Sequence, residues 1–166
     1  MRANNVIGSG NYMTRENKKG IVRLVTDKEK GVVVTVPAGY VDLGLSSGTY
    51  WKETNESGFY NYDNAVSKFG DKLPTKEQFV ELKNECEWTW TGNGYKVTGP
   101  NGGSIMLPAA GFRDCDGDVY SVGTFGRYWS STPVDSDLAW NLYFYSREFY
   151  ISYYPRCFGL SVRLVQ

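Results

Sequence analysis

The sequence predicts an α+β domain, and three observations carry that prediction. Strand-like runs come first, two helix-like patterns follow, and many short strand-like runs fill the remainder. The chain has 166 residues, 41% of them hydrophobic and 16% aromatic, enough for one domain with a buried core. Apolar and polar or tyrosine positions alternate through residues 142–154, the period of a β-hairpin.

Residues 1–38 read as an N-terminal arm with short strands, and residues 39–166 as the main domain. The arm is polar, with Gly8-Ser9-Gly10 and Lys18-Lys19-Gly20 as breakers, and holds one apolar run over residues 21–25. An arm used in assembly and a disordered tail both fit this composition. Residues 31–37, GVVVTVP, have the β-branched content of a strand that Pro37 ends. Residues 40–45 form a second extended piece, closed by Ser46-Ser47-Gly48. A short helix follows: Asp63 caps it, Ala65, Val66 and Phe69 give it an apolar face, and Gly70 stops it. The second helix opens on a capping box, Thr75 with Gln78 three residues on, and Phe79, Leu82 and Cys86 share one face. Turns at residues 92–94 and 99–103 bracket short strands at 95–98 and 105–107. Leu142 and Phe144 alternate with Tyr143 and Tyr145. Ser146-Arg147-Glu148 turns the chain, and Phe149, Ile151 and Tyr153 alternate with Tyr150, Ser152 and Tyr154. Leu160, Val162 and Leu164 mark a last strand with one apolar face.

Composition excludes several functions. Lysine plus arginine and aspartate plus glutamate number 18 each, so no net charge draws the chain to nucleic acid or to an anionic membrane. Histidine is absent, which removes serine–histidine and cysteine–histidine catalysis and histidine-based zinc sites. No apolar run of signal-peptide or membrane-spanning length occurs, so neither a leader nor membrane insertion is expected in this chain. Cys86, Cys115 and Cys157 form no even framework. Three free thiols are the plain expectation, with a Cys115–Cys157 pair the alternative if the fold brings them together.

The informative segment is residues 140–158, in which nine of nineteen residues are aromatic. Alternation in a hairpin sends these rings to both faces. One face serves as core, and the other shows tyrosines to solvent, to a partner, or to a covering layer. Tyrosine offers large contact area at low entropic cost, as in antibody paratopes. Base stacking is a weaker reading, because the segment has only Arg147 and Arg156 as cations. All ten lysines lie at or before Lys96. Residues 111–160 lack Gln, Met and Lys, and Glu148 is the only glutamate there. The Tyr, Phe, Ser, Asp, Arg, Cys, Gly and Val that dominate this stretch are reachable from a pyrimidine-ending Asn codon by changing only its two adenines.

Four phrases resemble a known family in their order: Leu73-Pro74-Thr75-Lys76-Glu77-Gln78-Phe79, Leu107-Pro108-Ala109-Ala110-Gly111-Phe112-Arg113, Tyr128-Trp129-Ser130-Ser131-Thr132 and Gly159-Leu160-Ser161-Val162-Arg163. The family is C-type-lectin-like, abundant in gut Bacteroides-type bacteria and their phages, and related to the Fibrobacter major paralogous domain. Its C-terminal part resembles the variable region of proteins diversified by a retroelement, whose error-prone reverse transcriptase mutates adenines. The resemblance implies a C-type lectin-like fold, with two short helices, a mainly antiparallel sheet and long loops. It also implies an exposed variable face. The implied ligand-binding positions are Tyr120, Phe125, Arg127, Asp135, Tyr143, Tyr145, Phe149, Tyr150, Tyr154 and Phe158. Trp140, which the codon route does not reach, joins them as a fixed part of the surface.

Other sites weigh less. Asp114-Cys115-Asp116-Gly117-Asp118 clusters carboxylates but lacks the spacing of a calcium loop and reads as a solvated turn. The calcium-lectin sugar motifs Glu-Pro-Asn and Gln-Pro-Asp are absent. The expectation is therefore a binding protein without catalytic residues, metal or cofactor. Its partner would be a protein or glycan, on a cell surface, with virion or cell-surface display of this chain and an arm that permits a homo-oligomer. A structural module with a covered tyrosine sheet, and a relative of the formylglycine-generating enzymes working through Cys115 and Cys157, are the alternatives.

Overall fold

The computed structural model describes residues 14–17, 20–23 and 34–166. The chain divides into two units, residues 1–38 and 39–166. In the first, β1 (Thr14–Asn17) pairs antiparallel with β2 (Gly20–Arg23). The arm thus holds two short strands, β2 overlapping the apolar run at 21–25, whose positions 24 and 25 lie outside the described residues. Of the strand expected at 31–37, residues 31–33 also lie outside them, and Val34 to Pro37 belong to no strand. Valine supplies β-propensity, but a strand needs a partner ladder, and Pro37 has no N–H to offer one.

The second unit is α+β. β3 (Tyr40–Asp42) pairs with β4 (Tyr50–Lys52), whose Trp51 is fully buried. Helix α1 (Tyr62–Phe69) is capped by Asn61, whose side chain accepts from the Asn64 N–H; Asp63, the expected cap, sits inside the first turn. At the far end Gly70 adopts φ 54°, a left-handed conformation that glycine tolerates best, and a 3-10 turn over Gly70–Lys72 follows. Helix α2 (Lys76–Glu85) carries the expected capping box: Thr75 accepts from the Gln78 N–H at 3.2 Å and Gln78 from the Thr75 N–H at 2.8 Å. Phe79 and Leu82 bury the helix against the core.

Two three-stranded antiparallel sheets complete the unit. One joins β5 (Glu87–Trp90), β6 (Gly94–Thr98) and β7 (Ser104–Pro108). After the small pair β8 (Phe112–Arg113) and β9 (Val119–Tyr120), the second sheet joins β10 (Gly126–Pro133), β11 (Leu138–Tyr145) and β12 (Glu148–Pro155) in that order. The β11–β12 hairpin is present, but Tyr145 pairs with Glu148. The turn is therefore Ser146-Arg147, two residues and not three.

Core clusters pack against both faces of the second sheet. Tyr128, Leu142 and Phe144 pack into a core cluster with Phe79, Leu82, Trp51 and the β5–β7 sheet. Trp129 and Ala139, on the opposite face, pack with Tyr62, Ala65, Leu73 and Leu160. The expected last strand is absent as a ladder. Residues 160–165 make only isolated bridges, to Tyr60, Tyr128 and Trp51. All six are buried, because this segment feeds both clusters. Within it Arg163 is 1% exposed and donates to Asn55 Oδ1 and to the carbonyls of Lys52, Glu53 and Met106. It ties the C-terminus to the loop after β4 and to β7.

The cysteine expectation is overturned as well. Cys115 and Cys157 form a disulfide, Cα–Cα 5.1 Å, across a sequence separation of 42 residues, and only Cys86 is free. Nothing local in the sequence signals the pairing: the β8–β9 turn and the chain just beyond β12 meet only in the folded state.

Candidate ligand-binding site

The register of the second sheet decides which rings share a face. Directly opposed residues of antiparallel strands point the same way. Arg127 opposes Tyr143, which opposes Tyr150. Tyr154 opposes Ala139, and Tyr145 opposes Glu148, on that same outer face. Phe149 opposes Phe144, and Tyr153 opposes Trp140, on the inner face. The two-residue side-chain period therefore splits the candidates into two sets.

The outer set is continuous. Phe125 stacks on Tyr143 at 5.6 Å, and Tyr143 lies 5.9 Å from Tyr150 and 6.1 Å from Tyr145. A second group lies beside it. Tyr154 meets Phe158 edge-on at 4.6 Å, Phe112 lies 6.1 Å from both, and Tyr120 lies 6.0 Å from Phe112. Arg127 joins the groups: its guanidinium sits 4.0 Å from the Tyr143 ring centre, 3.8 Å from Tyr154 and 5.5 Å from Phe112. Tyr120 and Tyr150 are open to solvent, and the other rings of this face are half-buried.

The inner set is engaged except at Tyr153, which is 54% exposed. Phe149 stacks face to face on Trp88 at 4.3 Å and belongs to the rim of the core. Trp140 is capped by the Lys76 ammonium at 3.7 Å and touched edge-on by Tyr153. Asp135 sits in the β10–β11 turn, where its carboxylate accepts from the Asp137 and Leu138 N–H groups, both at 2.8 Å, and its carbonyl accepts from Arg156. Of eleven sequence candidates, eight therefore lie together: Tyr120, Phe125, Arg127, Tyr143, Tyr145, Tyr150, Tyr154 and Phe158. Trp140, Phe149 and Asp135 stand apart from them.

Sequence reasoning missed Phe112, which belongs to a scaffold phrase yet forms one wall around Arg127. Its position on β8, opposite Tyr120, is the signal that places it. The disulfide fixes that wall, because Cys115 lies in the β8–β9 turn and Cys157 next to Phe158.

Electrostatics follow from these contacts. Burial lowers the Arg127 pKa, with the Tyr154 and Tyr143 hydroxyls opposing that shift. The Asp114 carboxylate raises the Tyr120 pKa by its charge and by a hydrogen bond from the hydroxyl. Asp114 itself accepts from the N–H groups of Asp116, Gly117 and Asp118. These are the bonds of a turn, and no group of metal-ligating side chains occurs among the described residues. No described helix is long and apolar enough to cross a membrane.

The family described as a domain of unknown function, DUF8237, matches residues 75–165, more than half of the chain. That span runs from the α2 cap through the second sheet and holds every ring of the outer face. No curated protein and no solved structure matches.

Proposed function

The chain belongs to the DUF8237 family, and we propose that it is a ligand-binding protein with a C-type lectin-like fold, its outer aromatic face diversified by a retroelement. The face recognises a protein or glycan on a cell surface and works by non-covalent contact. Tyrosine and phenylalanine supply the buried area, and Arg127 supplies polar specificity.

One observation carries this reading. The positions implied to vary do not scatter: eight of them converge on a single face around Arg127, while Tyr128, Leu142 and Phe144 on the same strands are fully buried. Phe125, Tyr143, Tyr145 and Tyr150 tolerate change best, because their rings touch mainly one another. The disulfide supports display in an oxidising environment, such as a virion or cell surface. The covered-sheet alternative is favoured at one end only, where Tyr154 and Phe158 pack against the second core cluster. Tyr120 and Tyr150 remain open, at 47% and 37% exposure.

The test is a surface-display library randomised at Phe125, Arg127, Tyr143, Tyr145 and Tyr150, with a control library at Tyr128, Leu142 and Phe144. The first should display folded protein in most clones and yield binders to unrelated protein and glycan targets. Loss of folded display in both libraries to the same degree would show that the outer face is structural.

A further inference from the structure

Arg127 is poorly provided for by its own chain. Among the described residues no carboxylate pairs with it and no hydrogen bond satisfies it; its buried Nε has no partner. Rings surround the guanidinium, and rings stabilise its charge without accepting its N–H bonds in the plane. One rung along the same face, fully buried Asn141 donates to the Ser152 carbonyl, and its Oδ1 is likewise unpartnered. Buried polar atoms without partners are rare in folded proteins; of the three among the described residues, Trp51 Nε1 lies elsewhere in the core, and Arg127 Nε and Asn141 Oδ1 lie on neighbouring rungs of one face.

The neighbouring acids do not supply the missing partner. Asp114 is taken by three backbone N–H groups and the Tyr120 hydroxyl. Glu148 opposes Tyr145 at the far end of the hairpin. Arg156, by contrast, spends its donors on Asp135, Leu138 and Asp63.

We propose that Arg127, held by Phe112, Tyr143 and Tyr154, anchors a carboxylate of the ligand taken by this face. The proposal rests on the reading of the face as a binding site and specifies the chemistry at its centre. A guanidinium matches a carboxylate with two parallel N–H bonds, and the ring walls hold it ready and partly dehydrated, which strengthens the pairing. The flanking rings then cover the body of the same ligand, a sugar ring or a peptide side chain.

The experiment follows the arginine Nε–Hε signals of the ¹⁵N-labelled full chain by NMR, with Arg127 assigned as the signal missing from R127K. The probes are glucuronate, N-acetylglycinate and neutral glucose. The expected result is a saturable shift of the Arg127 signal with a carboxylate probe, at least tenfold tighter than with glucose. A stronger response to glucuronate identifies an acidic sugar, and an equal or stronger response to N-acetylglycinate a peptide carboxylate. Should R127K fail to fold, the comparison of carboxylate with neutral probe on the unaltered protein still decides. An Arg127 signal that ignores every probe, or follows glucose equally, overturns the anchor. Tyrosine ring signals that move with glucose in that case leave the binding face standing.

Discussion

Replacing Cys115 and Cys157 together by serine opens a loop that spans 42 residues of sequence. That loop contains β9, β10, β11 and β12, and so most of the outer face. Cross-linking two points this far apart removes about 4 kcal/mol of chain entropy from the unfolded state at 25 °C. The folded state should keep its architecture, since both core clusters form without the cysteines. The loss should therefore appear as stability. With a urea dependence of about 2 kcal/mol per molar, the unfolding midpoint should fall by about 2 M. Tryptophan fluorescence reads the transition, because Trp51 and Trp129 are fully buried. The unaltered protein in reductant should unfold at the midpoint of the double variant. A fall under about 0.5 M would refute the reasoning, since the loop would then be closed by other contacts in the unfolded chain.

The other expectations concern the scaffold. Tyr128 is buried, donates to the Pro108 carbonyl at 2.8 Å, and has its pKa pushed up to about 12 by burial. Its folded pKa lies above the unfolded value of about 10, so its contribution is complete below pH 10 and is lost as the pH rises from 10 to 12. That amounts to about 2–3 kcal/mol, and Y128F should lose less stability than the unaltered protein over that range in urea titrations. Arg163→Met strands the four acceptors that Arg163 now serves and should cost about 3–5 kcal/mol in chemical denaturation. Gly126→Ala would place a Cβ 2.0 Å from Phe144 Cζ and should cost about 1–3 kcal/mol, read as a lower melting temperature. Thiol counting in non-reducing denaturant should find one thiol per chain. That thiol, Cys86, has its pKa raised from 9.0 to about 11 by burial and then by Glu85 and Glu81. In the folded protein it should react with a thiol reagent about a hundredfold more slowly than an ordinary cysteine.

What was legible in the sequence was local. The Thr75–Gln78 capping box is a four-residue pattern and forms as read. The alternation of Leu142 and Phe144 with Tyr143 and Tyr145 fixed which strand face is core. Features that depend on distant partners were not legible. Residues 160–165 look like a one-sided strand, yet Ser161 and Arg163 are as buried as Leu160, because two clusters flank them. Phe149 reads as an exposed ring until Trp88, sixty-one positions earlier in the chain, is found stacked on it. Trp140 and Tyr143 sit in one aromatic run and end on opposite faces. The α1 cap fell to Asn61 over Asp63, two caps of similar strength that only backbone geometry separates.

The proposed function meets its most direct test in the gene itself, by resequencing its 3′ end across a natural population. Diversification predicts substitutions gathered at Tyr120, Phe125, Arg127, Tyr143, Tyr145, Tyr150, Tyr154 and Phe158, with Tyr128, Trp129, Leu142 and Phe144 unchanged. Phe149, stacked on Trp88, should vary least among the candidates. A uniform sequence, or changes spread equally over the buried scaffold, would contradict a diversified binding face.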